Sequence, residues 1–387
     1  MRRVYLDYNS TTPIDKEVKE AIMPFLEEKF GNPSNLHSFG RETREAIENA
    51  RRKIAEFLNT KSERIFFTSG GTESCNWAIK GIAFANQNKG NHIITSAIEH
   101  SSVLNSCLAL KDFGFEITFL PVDEYGIVDI DYLKKSIRKN TILVSIMHSN
   151  NEVGTIQPIE EISQIVKSYD IYFHTDAVAS AGKIKLDVEK LGVDLLTISG
   201  HKIHAPKGVG VLYIREGVKI TNLIHGGHHE QGKRAGTENL IGIVGMGKAC
   251  EILMRDMEKD VIKIKELRDY LERKILENIE DVKINGHPEK RLCNTTNISF
   301  GYVEGEALLV NLDLEGIAVA SGSACASGEP EPSHVLKAMN VPIEYINSPV
   351  RFSLGRENTK EEIDYTIEVV IKVVKRLREI TAFKKRV

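Results

Sequence analysis

The chain has 387 residues, of which 41% are hydrophobic and 27% charged, and 51 Lys and Arg against 54 Asp and Glu give a formal net charge of −3. This length predicts a large domain with a smaller partner, and the composition is typical of a folded globular protein. With a near-neutral charge the protein lacks the strong positive potential typical of proteins that bind nucleic acid or acidic membranes. We therefore expect no direct binding to either. No apolar run reaches the roughly 18 residues of a membrane span, and the N-terminus becomes polar too early for a signal peptide.

Short β-rich runs alternate with amphipathic stretches between about residues 60 and 215. The predicted strands are 65–68, 92–95, 115–120, 141–147, 171–174, 195–199 and 208–214, and the predicted helices between them are 72–85, 101–111 and 159–168. This alternation favours βαβ units and a mostly parallel sheet that is covered on both faces. We expect the last two strands to pair as a hairpin.

The pattern changes after Gly236. A long helix is predicted over about 240–279, followed by strands at 297–300, 317–320 and 350–354 and a helix over 360–380. We therefore expect an α/β protein with a large domain over 14–255 and a smaller α+β domain formed by 1–13 with 256–387. The long helix would connect the two domains.

Three segments place reactive or ligand-binding residues after predicted strands. In residues 68–74 a predicted strand ends in two glycines, after which a helix begins. Such a turn can direct its backbone N–H groups toward a bound anion. Asp176 follows a strand at the edge where open parallel sheets bind ligands, and Lys202 becomes a nucleophile if burial lowers its pKa. Taken singly, each has an ordinary alternative: a capped turn, a helix-capping carboxylate and a solvated lysine.

Together the three segments fit pyridoxal phosphate. Its phosphate needs N–H and hydroxyl donors, its pyridinium nitrogen needs an acid, and its aldehyde needs an amine for a Schiff base. An imidazole stacked on the ring completes such a site. His100, which begins a helix after another predicted strand, can supply that imidazole.

The cysteines are scattered, odd in number and without a C-x-x-C pair: Cys75, Cys107, Cys250, Cys293 and Cys325. This pattern is typical neither of a disulfide framework nor of a zinc site, and it favours a reducing cytoplasm. We expect most of these thiols to be small core residues. Only Cys325 stands among small and turn-forming residues, so we predict a functional role for this accessible thiol.

At this point the chain resembles a known family, the cysteine desulfurases of the NifS/IscS type within the class V aminotransferase superfamily. The motifs that carry the resemblance are 5–13, 30–34, 147–154, 199–202, 225–227, 234–237, the loop around Cys325 and 350–356. The full-length cysteine loop is similar to the IscS branch rather than to the short-loop SufS branch. The resemblance implies the fold of pyridoxal-phosphate-dependent transferases of fold type I.

The resemblance also implies roles for individual residues. Lys202, His100 and Cys325 match catalytic residues: the Schiff-base lysine, the ring-stacking histidine and the thiol that takes the sulfur of L-cysteine as a persulfide while L-alanine is released. The other cofactor-binding positions are Gly71, Thr72, Asn151, Asp176, Ser199, Gly200, His201 and Thr237. Thr237 would reach the phosphate held by the other subunit of a homodimer. Arg351, which would pair with the substrate carboxylate, and Asn32 match substrate-binding positions.

The partners implied are an iron–sulfur scaffold protein similar to IscU and other sulfur acceptors, with RNA thiolation as a further destination. Cys325 is also a candidate ligand of a transient iron–sulfur (2Fe–2S) cluster, whose other ligands would come from elsewhere. The chain departs from the family at Ala179, where a glutamine commonly helps to hold the cofactor's phenolic oxygen. Either the cofactor is held less firmly here, or Asn151 suffices. We interpret the doubled histidine at 228–229 as part of a site-lining loop rather than a metal site.

Two other functions remain open from the sequence. An aminotransferase or a selenocysteine lyase would share the cofactor site, although an aminotransferase has no need of a thiol such as Cys325. The second alternative is a non-enzymatic protein whose Cys325 serves as a cluster ligand. Lys202 argues against that role, whereas Ala179 leaves room for it.

Overall fold

A computed structural model of the chain describes residues 3–321 and 332–380. Its strands are β1 Val4–Tyr5, β2 Ile65–Thr68, β3 His92–Ser96, β4 Glu116–Leu120, β5 Thr141–Ser145, β6 Tyr172–Asp176, β7 Leu195–Ser199, β8 Gly210–Ile214, β9 Val282–Asn285, β10 Thr295–Phe300, β11 Ile317–Ala318 and β12 Pro349–Ser353. Its helices are α1 Lys16–Glu27, α2 Ser38–Phe57, α3 Gly71–Ala85, α4 Ser101–Leu110, α5 Ile130–Ser136, α6 Ile159–Lys167, α7 Val188–Leu191, α8 Leu240–Asn278, α9 Gly305–Leu314, α10 His334–Ala338, α11 Ile343–Ile346 and α12 Lys360–Ile380. Cys325, the predicted thiol and cluster ligand, lies outside the described residues.

The central sheet has seven strands in the order β2-β8-β7-β6-β5-β3-β4. The pairs from β7 through β6, β5 and β3 to β4 are parallel, whereas β8 runs antiparallel to both β7 and β2. The mostly parallel sheet and the β7–β8 hairpin predicted from the sequence are therefore confirmed. Asp176 and Ser199 are the last residues of the neighbouring strands β6 and β7, so their side chains emerge at the same edge of the sheet.

Both faces of the sheet are buried, because its strands are nearly continuous apolar runs. One hydrophobic core contains Ile93 and Leu212 with the inner faces of α3 and α4. The opposite core contains the adjacent residues Ile94 and Val211 with α2, α6 and the first part of α8. The alternation of neighbouring residues between the two cores is the period-two pattern of a strand. This packing on both faces holds the sheet in place, and the position of the sheet determines where the strand end with Asp176 lies.

A third core lies among the antiparallel strands β9, β10 and β12, the helices α9 and α12 and the last part of α8. The N-terminal strand β1 joins it by pairing in parallel with β11. Residues 335–346, although predicted to belong to the smaller domain, pack into the core that contains Ile94. The division into domains 14–255 and 1–13 with 256–387 stays a prediction. In the parts of the chain that the structure describes, we find no helix with the length and apolar character needed to cross a bilayer.

Candidate active site

A cavity of about 370 Å³ opens at the carboxyl ends of β6 and β7. Nine of the residues predicted from the sequence line it: Gly71, Thr72, His100, Asn151, Asp176, Ser199, His201, Lys202 and Arg351. They come from six separate stretches of the chain, which the parallel sheet brings to one edge. One cavity is therefore lined by a lysine, a carboxylate, a histidine and an arginine.

Asp176 lies at the end of β6 and is 6% exposed. Its Oδ1 accepts from the Val178 N–H at 2.9 Å, and its Oδ2 accepts from the Cys75 thiol at 3.5 Å. Burial raises the pKa of Asp176, and the positive charges of His100 and Lys202 oppose that rise. Even with these two hydrogen bonds, a buried carboxylate is stabilised by a cationic partner. A protonated ring nitrogen would provide that partner.

Lys202 ends the 3-10 turn that follows β7. Its amine donates to the backbone carbonyl of Asn9 and, at 2.7 Å, to that of Ser10. Burial, together with the positive charges of Arg351 and Lys183, lowers the pKa of Lys202 from 10.5 to about 8. A large share of neutral amine, the form that attacks a carbonyl, is therefore present near pH 8.

The turn between β2 and α3 forms a cradle for an anion. Gly70 has φ 154°, a conformation that side chains disfavour, and a Cβ on Gly71 would lie 3.0 Å from Val178 Cγ2. The two glycines thus let the backbone pass close to the cavity wall, where the first N–H groups of α3 have no partner within the helix. An adjoining cavity of about 340 Å³ lies against this turn, Ser199 and His201. These features fit a bound phosphate group.

His100 is the N-cap of α4 and lies in the cavity wall. Its Nδ1 accepts from the Ser102 backbone N–H at 3.2 Å and lies 2.8 Å from the Ser102 hydroxyl. These two contacts fix the Nδ1 side of the imidazole. The stacking role implied for His100 stays a prediction.

Arg351, on β12, reaches the cavity from the third core. Its Nη2 donates to Asp7 at 2.7 Å and to the Ser10 hydroxyl at 2.8 Å, and its Nη1 donates to the Asn151 carbonyl at 3.0 Å. Its Nε is buried and has no hydrogen-bond partner among the described residues. The guanidinium is thus held in place with donor capacity left over, as recognition of a carboxylate requires.

Three predicted site residues lie elsewhere in this chain. Gly200 is buried behind the wall, where a Cβ would lie 2.7 Å from Val209 Cγ1, so it shapes the Lys202 turn without lining the cavity. Asn32 and Thr237 are exposed and do not line the cavity. Both assignments stay predictions, and the role implied for Thr237 needs a second subunit.

The structure adds residues that the sequence reasoning did not single out as site residues: Asn9, Ser10, Ser102, Met147, Ser149, Val178 and Ala320. Asn9 and Ser10 belong to the N-terminal motif 5–13, and this motif was the feature of the sequence that could have identified them as site residues. Ala179 also lines the cavity, so the wall carries a methyl group where the family commonly has an amide.

The doubled histidine lies apart from this cavity. His228 and His229 line a separate space of about 310 Å³ beside Arg51 and Glu230. Within residues 3–321 and 332–380, no group of three or more His, Cys, Asp or Glu side chains is arranged to hold a metal ion. The role of this loop in lining a catalytic site stays a prediction.

Comparison with known proteins identifies the family to which this chain belongs. The family described as Aminotransferase class-V matches residues 4–366. A cysteine desulfurase IscS from Dictyoglomus turgidum is 59% identical over 383 residues, or 99% of this chain and 97% of that protein. One from Methanosarcina thermophila is 53% identical over 380 residues, or 98% of this chain and 94% of that protein. A solved structure named NifS-like protein superposes with a TM-score of 0.92 at 40% identity, covering 97% of this chain and all of that one (100%). The chain belongs to the class-V aminotransferase family and, within it, to the cysteine desulfurases, whose members use pyridoxal phosphate.

Proposed function

We propose that this chain converts L-cysteine to L-alanine with pyridoxal phosphate and leaves the sulfur as a persulfide on Cys325. The observation that carries the proposal is the single cavity that joins Lys202, Asp176 and Arg351 to an anion cradle. These residues match three separate chemical demands of one cofactor and one amino-acid substrate. The names of the relatives support the same activity.

The residues around the cavity fit the cofactor. Lys202 would hold its aldehyde carbon and Asp176 its ring nitrogen, while Asn151 would face its phenolic oxygen. The phosphate would rest on the α3 turn with the side chains of Thr72 and Ser199 beside it. When bound, pyridoxal phosphate supplies an electron sink for negative charge that develops at the substrate's α-carbon.

The protein side chains would then divide the work on L-cysteine. Arg351 binds the substrate carboxylate and orients the α-carbon toward Lys202. Once the amine of L-cysteine has taken its place on the aldehyde carbon, the freed Lys202 amine, with its pKa lowered to about 8, would remove the α-proton and hold it on Nζ. His100, in the same wall, can accept or return a proton on the substrate side.

Sulfur transfer needs the thiolate of Cys325. Its sulfur attacks the substrate sulfur, so that a sulfur–sulfur bond forms and the substrate's carbon–sulfur bond breaks. The electron pair of the broken bond passes to the substrate carbon, which takes up a proton and leaves as the methyl group of L-alanine. The persulfide on Cys325 is then the donor for a sulfur acceptor.

We further propose a homodimer. The exposed position of Thr237 supports it, because Thr237 does not line the cavity of its own chain and its implied ligand is the phosphate held by the other subunit. Near Asn32, the large apolar side chains of Phe30, Leu36 and Phe39 are 73%, 82% and 53% exposed. A second copy that covered these side chains would bury apolar area and bring Asn32 against a neighbouring subunit.

The destination of the sulfur is proposed to be iron–sulfur cluster assembly through a scaffold protein similar to IscU, with RNA thiolation as another outlet. The name IscS among the relatives supports the first of these roles. We propose a cytoplasmic location. The four described cysteines support it, because they are buried free thiols and reducing compartments keep thiols in that state.

The direct test of the site is spectroscopic. Wild-type protein supplied with pyridoxal phosphate should show the visible absorption band of a lysine-bound cofactor, and Lys202→Ala should lose it. Lys183→Ala is the matched control, because burial also lowers the pKa of Lys183 to about 8 but this lysine does not line the cavity. A band that survives Lys202→Ala and disappears in Lys183→Ala would contradict the assignment.

A further inference from the structure

We propose that Cys75 is a positioning residue for the cofactor, because its thiol donates to the carboxylate of Asp176 and holds that carboxylate in orientation. The inference rests on the proposed function, since it takes Asp176 as the partner of the cofactor's ring nitrogen. It assigns a task to a thiol that the sequence analysis left among the packing residues. Cys75 is 0% exposed and does not line the cavity, so it can act only through its neighbours.

The Cys75 thiol completes the hydrogen bonding of a buried carboxylate. Cys75 lies on the inner face of α3, one turn beyond the glycines of the anion cradle. Its Sγ donates to Asp176 Oδ2 at 3.5 Å, while the Val178 N–H occupies Oδ1 at 2.9 Å. Each oxygen of Asp176 thus has one donor, and one of these donors is a weak thiol. A weak donor holds the carboxylate in orientation and leaves most of its negative charge available to a cation in the cavity.

Two hydroxyls are neighbours of the same thiol. Burial raises the pKa of Cys75, and the hydroxyls of Ser102 and Thr197 oppose that rise. Ser102 Oγ lies 2.8 Å from His100 Nδ1. Ser102 is thus a neighbour of both His100 and Cys75, and Cys75 contacts Asp176.

The charged neighbours of Asp176 set the direction of the effect. His100 and Lys202 act on it as cations, and the buried carboxyl of Glu99 also faces it. Loss of the thiol donor makes Asp176 a stronger base, because a hydrogen bond to a carboxylate favours its charged form. A more basic Asp176 would take a larger share of the proton on the cofactor's ring nitrogen, which would weaken the charge pair that holds the ring. The ring would then withdraw electrons less strongly, and the nitrogen of Lys202 attached to it would be more basic.

The experiment compares Cys75→Ala, Cys75→Ser and Cys107→Ala with the wild-type protein, each loaded with pyridoxal phosphate. Cys107 is the matched control, since it is also 0% exposed and belongs to the same core but does not contact Asp176. The first readout is the dissociation constant for pyridoxal phosphate. The second is the pH midpoint at which the visible band of the bound cofactor changes. Unlike the thermal stability of the protein, this midpoint does not respond to a simple loss of packing.

Cys75→Ala should weaken cofactor binding about three- to tenfold and raise the midpoint by about half a pH unit or more, as expected for the loss of one hydrogen bond to a charged group. Cys75→Ser, which keeps a donor, should return the midpoint toward that of the wild type. Cys107→Ala should leave both readouts unchanged. A Cys75→Ala protein that binds cofactor and titrates like Cys107→Ala overturns the inference.

Cys75→Val, which fills a similar volume without a donor, serves if Cys75→Ala does not fold. It should raise the midpoint in the same direction, and an unchanged midpoint in this variant would also overturn the inference. Failure of the proposed function is distinguishable from either result. In that case the wild-type protein itself would show no visible band.

Discussion

Arg351 Nη2 donates to Asp7 Oδ1 at 2.7 Å, although the two residues stand 344 positions apart in the sequence. The pair exists because the chain beyond β1 returns beside β12, where Asp7 bridges to Ser353. Asp7 occupies one nitrogen of the guanidinium and leaves Nε without a partner among the described residues. The N-terminal segment therefore orients the residue that would bind the substrate.

Arg351→Lys should raise the KM for L-cysteine about 10- to 100-fold, with a smaller effect on the visible band of the cofactor. Lysine keeps the positive charge but loses the fork that pairs with Asp7 and a carboxylate at once. Steady-state kinetics with alanine detection measures the change. Arg291→Lys is the control. Arg291 forms an ion pair with Glu272 at an N–O distance of 2.7 Å and does not line the cavity. A KM that rises equally in both variants would show that Arg351 has no special role.

The reactivity of Lys202 in the cofactor-free protein should rise with pH around a midpoint near pH 8. Its pKa is lowered from 10.5 to about 8, so the neutral amine forms as the pH rises through that lower value. Competitive acylation followed by peptide mass spectrometry measures each lysine separately. Peptide resolution matters because the pKa of Lys183 is also lowered to about 8. A midpoint near 10.5 for Lys202 would mean that its amine is not desolvated.

Ala179→Gln should bind pyridoxal phosphate about three- to tenfold more tightly than the wild type. The new amide would add a donor at a cavity wall that now presents a methyl group. Equilibrium dialysis measures the gain. Ala179→Leu fills a similar volume without a donor and should give no gain. Equal affinities for the Gln and Leu variants would show that Asn151 already satisfies the cofactor's phenolic oxygen.

Ser333→Ala should lower the free energy of unfolding by about 1–3 kcal/mol. The Ser333 hydroxyl caps α10 by accepting from Val335 and Leu336, and it donates to the buried Glu152 carboxylate at 2.6 Å. The substitution removes the cap and leaves a buried carboxylate without that donor. Urea denaturation measures the loss, with Ser168→Ala as the exposed control, which should change stability by less than about 0.5 kcal/mol. Equal losses in the two variants would contradict the role given to Ser333.

The central sheet could be predicted because each strand is a short apolar run between turns and helices, as at Leu195–Ser199. The helices α1 and α2 were not predicted, although they pack against the first part of α8. The placement of β1 could not be predicted either. A two-residue strand has almost no pattern of its own, and its position depends on pairing with Ile317–Ala318 at the far end of the chain.

In the site, too, the residues with a local sequence pattern could be predicted, and the contacts that depend on distant parts of the chain could not. Asp176 and Lys202 could be predicted, because Asp176 ends one buried strand, Lys202 lies three residues beyond the next, and the ends of parallel strands meet at one edge. The contacts of Asn9 and Ser10 with Lys202 could not, since they depend on how the N-terminal segment packs across the cavity. The contact between Cys75 and Asp176 was hidden for another reason. A cysteine on the apolar face of a helix has the pattern of an ordinary core residue.

The most direct test of the proposed reaction is a single turnover of the cofactor-loaded protein with L-cysteine in the absence of reductant and acceptor. Mass spectrometry of the digested protein and quantification of alanine should be read together. The account predicts about one equivalent of L-alanine per active site and one added sulfur atom on the Cys325 peptide. The Cys325→Ser variant should give neither persulfide nor stoichiometric alanine. Full release of alanine and sulfide by that variant would contradict the account.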